Sequence, residues 1–136
     1  MDIINTKYYD GFEGEPELQL IRVSDSGERN ILSLWNAYLE VIMHSMIPNN
    51  FDEKQLCGLV YCYFKHEGWY DESPWKIPDI NDALRQFESF DTDNLTDDEK
   101  KSLNNVLKDV PEVLTAIVQF LKKAKELSEV VYIAYE

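Results

Sequence analysis

Cys57, Cys62 and His66 fall within one apolar segment and are the side chains best suited to chemistry. Two thiols and an imidazole suit a zinc site or a nucleophile with its base. Spacing decides against both. On a helix over Asp52–His66, Cys62 and His66 are four apart and share a face. At roughly 100° per residue, Cys57 points about 180° away from His66, so the three cannot converge. No second Cys/His pair completes a tetrahedron. The surrounding Leu56, Leu59, Val60, Tyr61, Tyr63 and Phe64 predict a buried, inert thiol. His44, flanked by Met43 and Met46, reads as a packed or edge histidine. No metal and no cofactor is expected.

A second motif fails in a similar way. Asp91-Thr92-Asp93-Asn94-Leu95-Thr96-Asp97 has the acidic start of a calcium loop. Its fifth position is Leu95, its sixth is Thr96 where the loop needs Gly, and its twelfth is Ser102 where it needs Glu. The same residues suit an acidic loop entering a helix. Thr96 and Glu99 have capping-box spacing, and Asp97, Asp98 and Glu99 would sit at the positive end of the helix dipole. Neither a phosphate-binding glycine loop nor a basic patch with interleaved aromatics occurs. The chain is therefore expected not to be an enzyme.

Charge carries more information. The 136 residues hold 26 acidic and 13 basic side chains, a net charge of −13. Residues 1–99 hold 21 Asp/Glu and 7 Lys/Arg, net −14, whereas residues 100–136 hold 5 and 6, net +1. Such a field repels nucleic acid and attracts basic proteins. A hydrophobic fraction of 44% still allows one folded domain, as the length suggests. The N-terminus lacks the basic and apolar stretches of a signal peptide, and no apolar run reaches membrane-spanning length. With two cysteines in one segment, a cytoplasmic setting is expected, with no membrane partner.

One stretch pairs these carboxylates with large rings. Trp69, Tyr70 and Trp75 surround Asp71 and Glu72 in a loop stiffened by Pro74 and Pro78. Rings bury area at an interface while neighbouring carboxylates pair with Arg or Lys. The alternative is that both Trp side chains fold back over the apolar helix before the loop. In size, charge and the stretch Trp69-Tyr70-Asp71-Glu72, the chain resembles bacterial immunity proteins of contact-dependent inhibition and other polymorphic toxin systems. The resemblance implies a cytoplasmic inhibitor that neutralises one cognate toxin, frequently a basic nuclease. The partner-binding residues expected are Trp69, Tyr70, Asp71, Glu72 and Trp75, together with the acidic cluster Asp91, Asp93, Asp97 and Asp98. The rival readings are a nucleic-acid mimic, a helical adaptor or assembly subunit, and an enzyme whose ligands only tertiary structure assembles.

The elements that must position these residues read as mainly α, a bundle of about five helices. Residues 1–25 form an acidic, turn-rich arm in which Leu18–Val23 is a short strand or extended segment. Ile31, Leu34, Trp35, Tyr38, Leu39, Ile42 and Met46 recur at three- and four-residue steps, predicting a helix over Glu28–Met46 with Ser24, Asp25 and Ser26 as caps. Further helices are predicted over Asp52–His66, over Asp79–Phe90, and from Thr96 to before Pro111. A last helix begins at Pro111, with Leu114, Ile117, Leu121, Ala124 and Ser128 on one face. The tail Val130–Tyr135 either extends that helix or forms a small β element with Leu18–Val23.

Overall fold

Residues 17–35 form a hairpin, not an arm followed by a helix. The computed structural model describes residues 3–45, 61–63, 65, 73–90 and 95–135. Strands β1 (Ile3–Tyr8), β2 (Glu17–Val23) and β3 (Arg29–Trp35) lead into helix α1 (Asn36–His44). Next come β4 (Trp75–Lys76), α2 (Ile80–Glu88) and the short α3 (Asp97–Ser102) and α4 (Asn104–Leu107). The long α5 (Val110–Glu126) and β5 (Val130–Tyr135) complete the described elements. The five strands make one mixed sheet in the order β1-β3-β2-β5-β4. β1 runs parallel to β3, and the other neighbours are antiparallel. The expected mainly-α bundle is thereby overturned.

The cause lies in β3. Ile31, Leu32, Ser33 and Leu34 are all buried, so this strand lacks the alternation of a half-exposed one. Its apolar run, continued by Trp35 and Tyr38, mimics a helical stripe. No Gly or Pro marks the change of element either. Trp35 ends β3 and serves as the N-cap of α1 with extended dihedrals. Ser24, Asp25 and Ser26, expected to cap a helix, instead build the β2–β3 turn. The Ser24 N–H donates to the Glu28 carbonyl at 3.0 Å, and the Gly27 N–H donates to the Ser24 carbonyl at 2.9 Å. Gly27 takes φ +87°, a conformation that side chains disfavour.

The main core lies between one sheet face and the helices. Leu18, Leu20, Leu32, Leu34, Val131 and Ile133 pack with Leu39, Ile42 and Met43 of α1, Phe87 of α2, and Val113, Ile117 and Leu121 of α5. The other sheet face carries a smaller cluster, Ile21, Ile31 and Ala134, flanked by Val23 and Tyr132. Of the two forms expected for the tail, the strand is the one adopted. β5 pairs with β2 along its length, with Leu20 opposite Ile133. Residues 1–25 thus supply two of the five strands.

The later helices follow their sequence signals more closely. Asp79 caps α2, its side chain accepting from the Asp82 N–H at 3.2 Å. The helix expected after Thr96 breaks at Leu103 into α3 and α4, with Leu103, Val106 and Leu107 half-buried against the core. Pro111 occupies the first turn of α5. Ser128, expected on its apolar face, is exposed at φ 55° and ends the helix. The Ser128 N–H donates to the Lys125 carbonyl at 3.2 Å and the Glu129 N–H to the Ala124 carbonyl at 2.8 Å, a Schellman closure. That closure turns the chain into β5 and brings Glu129 to Arg22. Of the segment Asp52–His66, residues 61–63 are helical. Cys57 and His66 lie outside the described residues, as does Met46.

The capping box at Thr96 forms as expected. Thr96 Oγ1 accepts from the Glu99 N–H at 3.1 Å, and the Glu99 carboxylate accepts from the Thr96 N–H at 3.0 Å. The Thr96 N–H lowers the Glu99 pKa from its ordinary 4.5 despite slight desolvation, and the Thr96 hydroxyl and His44 pull in the same direction. A depressed carboxyl stabilises the fold above its unfolded pKa, and this contribution disappears as pH falls through the folded value. Thr96→Ala should cost about 1 kcal/mol in urea unfolding at neutral pH. The deficit should narrow in acid, where Glu99 is protonated in both proteins.

Candidate partner-binding surface

The connection between β1 and β2 is a tight acidic turn. The Tyr9 and Asp10 N–H groups donate to the Thr6 carbonyl at 2.8 and 2.9 Å. The Phe12 N–H reaches the Tyr9 carbonyl at 3.0 Å, and the Tyr9 hydroxyl reaches the Glu15 carbonyl at 2.7 Å. Gly11, at φ +94°, donates its N–H to the Glu13 carboxylate at 3.1 Å. These bonds fold the turn so that Phe12 lies back over the end of β3.

There the rings gather. Phe12 stacks on Trp35 with centroids 4.2 Å apart and planes 9° from parallel. Tyr38 meets Phe12 edge-on at 5.9 Å and Trp35 at 5.5 Å. Such pairs add about 0.5–1.5 kcal/mol each beyond their burial. Tyr38 is buried, while Phe12 and Trp35 stay half-buried and present part of their surface to solvent. The cluster thus has a fixed base and an accessible top.

Carboxylates adjoin it in the turn and at the start of α5. Asp10, Glu13 and Glu15 are exposed on the turn, and Asp109 and Glu112 are exposed at the start of α5. The Tyr38 hydroxyl donates to Asp109 Oδ2 over a long 3.4 Å. Lys7 lies 3.7 Å from Glu112, but both side chains are largely exposed and such a pair contributes little. Burial raises the Tyr38 pKa above 10.0, and the charge and hydrogen bond of Asp109 raise it further. A raised phenol contributes stability below its unfolded pKa and loses it as pH rises through the folded value. Asp109→Asn should therefore bring Tyr38 ionisation down, as read by ultraviolet titration.

Among the described residues, this arrangement places no nucleophile beside a base. Its carboxylates are acceptors for guanidinium or ammonium groups, and its rings offer faces for the same cations. Among the described residues, no group of three or more His, Cys, Asp or Glu is placed to hold a metal ion. No described helix is long and apolar enough to cross a membrane.

The residues singled out from sequence fall differently. Trp69, Tyr70, Asp71, Glu72, Asp91 and Asp93 lie outside the described residues. Trp75 is half-buried in β4, packs against the main core and borders a cleft of about 200 Å³ with Cys62 and Ile77. Asp97 and Asp98 are exposed in the first turn of α3, with no hydrogen bond to the aromatic cluster. His44, exposed at the end of α1, meets the Tyr63 ring edge-on at 5.9 Å. Sequence reading missed Phe12, Trp35, Tyr38, Asp109 and Glu112 as a group. Tyr8 and Tyr9 beside Asp10, Glu13 and Glu15 were the available signal, since rings and carboxylates alternate there too.

No protein-family model matches this chain, and no curated protein or solved structure matches it significantly.

Proposed function

We propose that this chain is an acidic protein inhibitor that binds a basic protein and neutralises it, acting as the immunity partner of a cognate bacterial toxin such as a nuclease. The observation that carries this reading is the Phe12–Trp35–Tyr38 cluster bordered by Asp10, Glu13, Glu15, Asp109 and Glu112, in a chain of net charge −13. Rings that are half-buried and mutually packed lose little conformational freedom on binding, which favours them as interface anchors. The carboxylate border speeds encounter with a cationic surface. A nucleic-acid mimic has weaker support, because Asp97 and Asp98 share one helical turn and do not form an extended row.

Affinity capture from the native host with the intact chain tests the proposal. The expected result is a basic protein whose activity falls stoichiometrically when the chain is added. Capture of acidic partners alone, or of a basic protein whose activity is unaffected, would contradict it.

A further inference from the structure

The sheet face that carries the core becomes polar at one end. Strand alternation places Asn5 of β1, Asn30 of β3 and Arg22 of β2 on the side facing α5, with Arg22 directly opposite Asn30. Helix α5 answers with Gln119, Phe120 and Lys123, and together these six border a cleft of about 330 Å³. Sheet positions facing a helix are normally apolar, so polar residues here leave hydrogen-bonding groups beside α5.

Arg22 is held through its Nε. Its Nε lies 2.7 Å from Glu129 Oε1, with the side chains only 14% and 6% exposed. Neither atom makes an aligned hydrogen bond, so the contact is an ion pair held by charge. The guanidinium also sits 5.5 Å from the centre of the Phe120 ring. Among the described residues, the side chains of Asn30, Gln119 and Lys123 make no hydrogen bond or ion pair. Arg22 and Lys123 against Glu129 leave a local charge of +1 in a chain of net −13.

We propose that this cleft binds a small organic carboxylate. The planar Arg22 guanidinium matches a carboxylate's two oxygens, and Lys123 supplies a second, mobile cation. The amides of Asn30 and Gln119 donate to the same group, while Phe120 covers the ligand's apolar body. The cleft shares no residue with the acidic surface, and its occupancy does not depend on the inhibitor reading.

The test is NMR titration of the arginine Nε–H resonances of the intact chain with benzoate, benzamide and inorganic phosphate. At about 0.15 M salt the Debye length is about 8 Å, which screens repulsion from distant carboxylates. Benzoate should shift the Arg22 signal saturably, and benzamide should bind at least about tenfold more weakly, the loss of one charge-assisted contact. Lys123→Glu, on the exposed side of α5, should weaken benzoate at least about tenfold with only a small drop in melting temperature from the carboxylate at the helix C-terminus. Removing Arg22 and Glu129 together, as Arg22→Met with Glu129→Leu, should abolish the response and identifies the resonance. No saturable shift with benzoate, phosphate binding as tight as benzoate, or indifference to Lys123→Glu would overturn the proposal.

Discussion

Glu129→Leu should destabilise the chain by about 3 kcal/mol, because it strands the Arg22 charge in a partly buried site. The low end of the range for a broken buried pair applies, since Arg22 borders an open cleft and water still reaches its head. Arg22→Met should cost a comparable amount by isolating Glu129, whose side chain is only 6% exposed. Combining the two should recover most of the loss, because a pair without aligned hydrogen bonds does not fully offset the desolvation of two charges. Urea unfolding of the four proteins forms a double-mutant cycle with strong coupling. Additive losses would show that Arg22 and Glu129 act independently.

The second large effect concerns the proposed interface. Phe12→Ala should weaken partner binding by about 2 kcal/mol, roughly thirtyfold, mostly through faster dissociation. Phe12 sits on a surface turn and is half-buried, so its loss should disturb the fold less than loss of Trp35 or Tyr38. Asp10→Lys with Glu15→Lys should leave dissociation alone and slow association about tenfold or more. Neither side chain is needed for the turn, whose bonds to these residues use the Asp10 amide and the Glu15 backbone.

The legible parts of the fold were those with local chemistry. Thr96 and Glu99 read correctly as a capping box, and Pro111 read correctly as a helix start, because both signals act within one turn. Helix α2 was also legible, as Ile80, Leu84 and Phe87 recur at helical spacing; Leu84 and Phe87 are buried and Ile80 is half-buried against the core. What failed was β3. A strand buried on both faces loses its period, and Ser24-Asp25-Ser26 serves a helix cap or a hairpin turn equally well until Gly27 is weighed. Misreading that one strand concealed the sheet.

The site was legible in composition but not in place. Carboxylates beside aromatics were recognised at Trp69–Glu72, where side chains adjoin in sequence. The Phe12, Trp35 and Asp109 positions come from three separate elements, and only sheet formation brings them together. Arg22 and Glu129 were equally invisible, since a Schellman closure and a strand pairing unite residues far apart in the chain.

The most direct test of the inhibitor reading is the association rate with the captured basic partner, measured across ionic strength. The wild-type rate should fall steeply as salt rises, and the Asp10→Lys, Glu15→Lys variant should start lower and vary less. Equal rates for the two proteins, unchanged by salt, would contradict an acidic docking surface at the β1–β2 turn.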